Sequence, residues 1–212
     1  MSVFGSLRGR LFRGLCSFRA SRLVFSGSRR LKITTRKQQK NAKTSTGIAS
    51  ERFRILLENS STKVIAFEPI PKTFKKLIKI KKNYSDRFFI YNIGLGEKKT
   101  KKNIYYDKHN LQWANFNPEV NKIDYLKNNK KQIKCSIDTL DNFTKKNKKI
   151  IHSKIDLVKI DTEGFELEVL KGAEKTIKKF KPKYIQIEYN WHHLFKNINL
   201  YYFSRYLKDY DT

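Results

Sequence analysis

The sequence predicts an α/β fold: a mostly parallel sheet flanked by helices and incomplete at both ends. Three observations carry this. Short apolar runs alternate with helical periodicities between residues 63 and 188, prolines or glycines close most of those runs, and three of them end in a carboxylate, at Glu68, Asp161 and Glu188. Strand, helix, strand, given twice, is the rhythm of βαβ units, whose parallel strands share one carboxyl edge. Ligands of open α/β sheets bind beyond that edge, so the three acids mark where a ligand belongs.

Lys63-Val-Ile-Ala-Phe67 is an apolar run followed by Glu68, Pro69 and Pro71, a buried strand stopped by residues that cannot donate to a ladder. A helix follows, with Phe74, Leu77, Ile78 and Ile80 as its apolar side and lysines around the rest. Arg87–Ile93 reads as the next strand, closed by Gly94-Leu-Gly96. Residues 100–130 hold one strand candidate, Asn103–Tyr106, and an aromatic insert with His109 and Trp113. Gln132–Ile137 alternates as a half-exposed strand, and Asp138–Phe143 begins a short helix or turn. Leu157–Ile160 is a buried strand. Leu167, Leu170, Ala173 and Ile177 then form the inward stripe of one helix over 165–180, Pro182 stops it, and Tyr184–Glu188 is the last strand.

At 212 residues the chain can bury one full core but not comfortably two. Its formal charge of +28 is uneven, since residues 1–50 hold 12 Lys/Arg and no acid. An Arg- and Ser-rich, acid-free front end has the composition of an organelle transit peptide, so residues 1–45 are expected to be a basic, disordered leader ahead of one domain at 46–212. No apolar run approaches the roughly 18 residues a membrane span needs, which predicts a soluble, cytoplasmic protein, or an organelle-targeted one if the leader is a transit peptide. Cys16 and Cys135 form no CxxC pair, and the four histidines lack ligand spacing; no metal is expected. Lysines interleaved with Tyr, Phe and Trp also admit a nucleic-acid-binding protein held by phosphate neutralisation. Such faces are usually only solvated, so that reading stands second.

The candidate site lies at the strand ends. In a Rossmann-like fold the acid ending the second strand accepts hydrogen bonds from ribose hydroxyls about twenty residues after a glycine turn, and Gly47 lies 21 residues before Glu68, with Ile48–Leu57 as the helix between them. Asp161 and Glu163 follow the strand at Leu157–Ile160, and Glu163 and Glu166 sit near the first turn of the next helix, where negative charge is favoured. His192 and His193 follow Glu188 on the same edge, and a neutral imidazole suits a base near pH 7.

Val64-Ile-Ala-Phe-Glu-Pro69, Asn92-Ile-Gly-Leu-Gly96, Thr139-Leu-Asp141, and above all Asp156–Gly172 followed by Pro182–Glu188 resemble the FkbM-type methyltransferases in order and spacing, over roughly residues 47 to 195. The resemblance implies a Rossmann-like methyltransferase that uses S-adenosylmethionine, with O-methylation of a sugar or secondary-metabolite hydroxyl on a small-molecule or glycan acceptor as its function. It implies that Glu68 holds the adenosine ribose and that Asp161 faces cofactor and acceptor, with Glu163 and Gly164 forming its turn. The family's Asp-x-Gly-Ala-Asn-x-Gly loop corresponds to Asn41–Gly47, which keeps only Gly47, and 24 residues follow Glu188. A catalytically inactive relative is therefore a further alternative. Methyl transfer needs an aligned acceptor oxygen and help in losing its proton, which makes Asp161 and His192 the candidate catalytic residues.

Overall fold

The structure, a computed structural model, describes residues 22–27, 62–109, 111–151 and 154–210. Strands β1 (Arg22–Gly27), β2 (Lys63–Phe67), β3 (Phe88–Tyr91), β7 (Leu157–Asp161) and β8 (Tyr184–Ile187) form a five-stranded sheet in the order β3-β2-β1-β7-β8. β2 pairs parallel with β3 and β7 parallel with β8, whereas β1 runs antiparallel to both of its neighbours. Four strands therefore point one way and end at one edge, the edge that carries Glu68, Asp161 and Glu188. The sheet is mixed rather than mostly parallel, because two of its four ladders involve β1.

β1 also corrects the expected leader. Arg22–Gly27 lies within residues 1–45, yet it occupies the centre of the sheet, with Val24 in register with both Ala66 and Lys159. β2 and β7 run the same way with room for one strand between them, and a slot paired on both sides calls for an apolar, β-forming run. Leu23-Val-Phe25 supplies it. The average composition of the first 45 residues hides those three. The rest of that segment, including Gly47 and the helix expected at 48–57, lies outside the described residues.

Both faces of β2 are buried, which is why its sequence is continuously apolar. Val64 and Ala66 face Leu77, with Phe74, Ile78 and Ile80 beside it, on helix α1 (Pro71–Lys81). α1 starts with proline at its first turn and carries Lys79 and Lys81 in its last, where the helix dipole favours cations. Ile65 and Phe67 face the main core with Val158, Ile160, Leu167, Leu170 and Ile177. A second sheet of β4 (Gly94–Leu95), β6 (Lys131–Asp138) and β5 (Thr100–Tyr106), in that order, buries Ile104, Cys135 and Ile137 on one side. Between β5 and β6 the insert folds as 3-10 turns, including Pro118–Lys122, tied by Asn115 Nδ2 to Asn121 Oδ1 (3.0 Å) and Asn129 Nδ2 to the Trp113 carbonyl (2.7 Å).

The helix expected over 165–180 is broken. After α2 (Leu140–Lys146), the segment forms α3 (Glu166–Lys171) and α4 (Glu174–Phe180), parted at Gly172. A Cβ on Gly172 would lie 1.9 Å from the Gly96 carbonyl oxygen, so this crossing admits only glycine. Asp141 fixes the break from outside: its N–H donates to the Gly172 carbonyl (3.0 Å), and its carboxylate accepts the N–H groups of Lys175 (3.1 Å) and Thr176 (2.8 Å). It thus caps α4 from another element. Among the described residues no helix is long and apolar enough to cross a membrane.

Gly172→Ala is expected to cost about 3 kcal/mol through overpacking, measured by denaturant unfolding. Val24→Pro, which removes a ladder donor from a strand paired on both sides, is expected to destabilise by about 3 kcal/mol or more. An unchanged melting curve for Val24→Pro would remove β1 from the sheet.

Candidate active site

β7 ends at Asp161, and the chain then turns through Thr162, Glu163 and Gly164, with φ 54° at Glu163 and 89° at Gly164. A non-glycine residue in the left-handed region stores roughly 1–3 kcal/mol of strain and persists only when neighbours hold it. Glu166 holds it: its carboxylate accepts the N–H of Thr162 at Oε1 (2.5 Å) and of Gly164 at Oε2 (2.9 Å). A Cβ on Gly164 would meet His192 Cβ at 2.7 Å, so glycine also allows the next element to close over the turn.

Asp161, Glu163 and Glu166 are all buried. Buried carboxylates need partners, and each has one nearby. Lys159 Nζ donates to Asp161 Oδ2 (2.8 Å), His192 Nε2 lies 2.8 Å from Glu163 Oε2, and His193 Nε2 lies 2.8 Å from Glu166 Oε2. Both histidines come from the 3-10 helix Trp191–Lys196, whose cap Asn190 accepts the His192 N–H (3.0 Å) and donates its own N–H to His193 Nδ1 (3.2 Å). Nε2 this close to a carboxylate carries a proton, so a neutral His193 has its Nδ1 free to accept from Asn190. Lys196 Nζ completes the clamp, donating to the Gly164 carbonyl (2.7 Å) and Glu168 Oε1 (2.8 Å). Carboxylate oxygens of Asp161, Glu163 and Glu188 lie within 4.8 Å of one another, an all-oxygen group of the kind hard cations take, with the Lys159 ammonium already beside Asp161.

The pattern of the methyltransferase FkbM domain matches residues 45–210, most of the chain. The chain belongs to the FkbM methyltransferase family. Among solved structures, the methyltransferase FkbM from Methylobacillus flagellatus KT is similar at 20% identity and a TM-score of 0.40, over 65% of this chain; the chain spans 29% of the length of that one. No curated protein matches.

In this FkbM domain the four residues expected at the site fall differently. Asp161 and His192 come together through Glu163. Glu68 is buried at the end of β2, its N–H on the Tyr91 carbonyl (3.0 Å) and its Oε1 on the Ile70 N–H (3.0 Å). β1 separates β2 from β7, so Glu68 stands two strand spacings, roughly 10 Å, from Asp161 along the same edge. The strand-ending acids thus do not meet in one cluster: Asp161 and Glu188 do, and Glu68 stands apart from them on the far side of β1. Gly47 lies outside the described residues. Asn92 secures the end of β2, Nδ2 donating to the carbonyls of Glu68 (2.8 Å) and Pro69 (3.2 Å). The insert reaches the site from the side, with Phe116 against Phe165 at 4.6 Å between ring centres and the 118–122 turn beside Trp191–Lys196.

Sequence reading missed the Glu166–His193 pair. Its one signal was two adjacent histidines following acids spaced three apart on a turn, which shows no geometry until the turn is closed. Cys135 is no nucleophile. Burial, and then the nearby Glu68 charge, push its thiol from 9.0 up to about 11, and Sγ donates to the Pro69 carbonyl (3.2 Å). The folded state holds this proton more tightly than the unfolded chain, so the associated stability is complete below pH 9.0 and is lost as pH rises through about 11. In a Cys16→Ser background, thiol titration at pH 8 should run about 100-fold slower in the native protein than in urea, from thiolate fraction alone. Equal rates would contradict the burial of this thiol.

Proposed function

We propose that the protein transfers a methyl group from S-adenosylmethionine to a hydroxyl of a small-molecule or glycan acceptor, with the cofactor lying across the ends of β2 and β7. The supporting observation is the strand order. In position, though not in the direction of β1, the sheet order β3-β2-β1-β7-β8 matches the 3-2-1-4-5 order of doubly wound folds, whose ligands bind at the crevice where strand order reverses. Buried carboxylates, Glu68 and Asp161, flank that crevice on the strands either side of β1. The residues also fit the group chemically: Asp161 Oδ1 and Thr162 Oγ1 are buried at this edge with no hydrogen-bond partner among the described residues.

The cofactor supplies an activated methyl on a sulfonium, so the protein's work is alignment and proton removal. Glu68 would accept hydrogen bonds from the ribose hydroxyls. Asp161 would orient the reacting oxygen. His192, with Nε2 turned to Glu163, would take the acceptor's proton at Nδ1, and Glu163 would stabilise the imidazolium that forms. The insert over Phe116 would close the acceptor side. The catalytic unit on this reading is 46–212 together with β1.

Calorimetric titration with S-adenosylmethionine and S-adenosylhomocysteine tests the cofactor site. Glu68→Gln is expected to weaken both by about 10- to 100-fold, the value of a hydrogen bond to a charged acceptor. Failure of the folded wild-type chain to bind either would overturn the proposal. With methyl-labelled cofactor and a panel of sugars and hydroxylated small molecules, His192→Gln should reduce label transfer about 100-fold while leaving homocysteine-cofactor affinity unchanged.

A further inference from the structure

We infer that His193 is a positioning residue: acting through Glu166, it sets the backbone turn that carries Asp161 and Glu163. The inference deepens the reading above, since it says why that turn can present a base pair and a carboxylate in fixed places. Two neighbouring histidines on one 3-10 helix go to different acids. His192 meets Glu163, which the methyl-transfer reading places at the reacting centre, whereas His193 meets Glu166, whose two oxygens already hold the N–H groups of Thr162 and Gly164. His193 and Glu166 are both fully buried and their polar atoms are already engaged, Glu166 by the N–H groups of Thr162 and Gly164 and His193 by Glu166 and the Asn190 backbone, so the pair acts within the fold.

What the pair controls is backbone. Glu163 and Gly164 both lie at positive φ, a conformation that relaxes when its restraints go. The Gly164 N–H is held by Glu166 and its carbonyl by Lys196, so both polar groups of one peptide position are fixed by residues outside the turn. The His193 ring is itself immobilised. It stacks on Tyr189 at 4.7 Å, meets Phe203 edge-on at 5.3 Å, and has Nδ1 at the Asn190 backbone. Asn190 caps the helix that delivers both histidines, so the His192–Glu163 and His193–Glu166 pairs are set by one rigid piece.

The test uses the full chain with three variants: His193→Ala, His193→Gln, which keeps an N–H donor, and Lys196→Met, at a part-buried site. Three quantities are read: amide hydrogen exchange at Thr162 and Gly164, the imidazole nitrogen resonances of His192, and S-adenosylhomocysteine affinity. In His193→Ala, exchange at Thr162 and Gly164 should quicken by more than about tenfold. The His192 resonances should move as its pairing with Glu163 loosens, and affinity should fall roughly tenfold, as for loss of a supporting hydrogen bond behind a ligand-facing group. His193→Gln should restore all three, and Lys196→Met should quicken Gly164 exchange while Cys135 remains protected from thiol reagent. If His193→Ala does not fold, the Gln and Met variants decide. Wild-type exchange at Thr162 and Gly164 in a folded His193→Ala, wild-type Gly164 exchange in Lys196→Met, or no rescue by a folded His193→Gln, would overturn the inference. Absence of S-adenosylhomocysteine binding in the wild-type chain would defeat the methyl-transfer reading alone, because the exchange and resonance measurements need no ligand.

Discussion

The Glu166 carboxylate is the contact on which the rest of this edge depends. It is buried, accepts two backbone N–H groups from the turn it follows, and faces His193 at 2.8 Å. Removing it leaves the buried N–H groups of Thr162 and Gly164 without an acceptor, at roughly 1–3 kcal/mol for each unsatisfied group. Here the cost would spread. Without Glu166 the left-handed Glu163-Gly164 step loses its restraint, Gly164 no longer fits beneath His192, and the carboxylates of Asp161, Glu163 and Glu188 lose the common frame that holds them within 4.8 Å. The acids near the start of α3 therefore do more than complement a helix dipole, since one of them builds the turn itself.

β1 imposes the second constraint. It comes from residues ahead of the family match at 45–210, fills the central slot of the sheet, and runs against its neighbours. Arg22 at its start pairs in register with Asp161, and Gly27 at its end pairs with Lys63, the first residue of β2. The chain therefore leaves β1 at the edge opposite Glu68 and Asp161. In a doubly wound sheet the first strand delivers a glycine-rich loop directly to the ligand edge; an antiparallel first strand delivers the chain to the far side.

Much of this was legible in the sequence because burial on both faces writes continuous apolar runs. Lys63–Phe67 and Leu157–Ile160 are such runs, and their positions as strands β2 and β7 follow directly. α1 was equally clear from the spacing of Phe74, Leu77 and Ile78. Three features were not. Leu23-Val-Phe25 is too short to stand out from a basic, serine-rich surround, and only its two neighbours make it a strand. The inward stripe Leu167, Leu170, Ala173 and Ile177 passes unbroken through the Gly172 break, because the reason for the break is the Gly96 carbonyl 76 residues earlier. At the site, the strand-ending acids gave the edge correctly, but Glu68 is parted from Asp161 by a strand that the sequence assigned to a leader. Pairing of the two histidines with Glu163 and Glu166 required the turn to be folded before it had any geometry to read.

The central claim is that one ligand bridges the ends of β2 and β7 across β1. Hydrogen exchange with and without saturating S-adenosylhomocysteine tests it most directly, because it reports both strand ends at once. The account predicts added protection at 67–70 and at 161–164 together, with the exposed α5 helix (Leu200–Leu207) unchanged. Protection at only one of the two strand ends, or at neither while the ligand binds elsewhere, would contradict it.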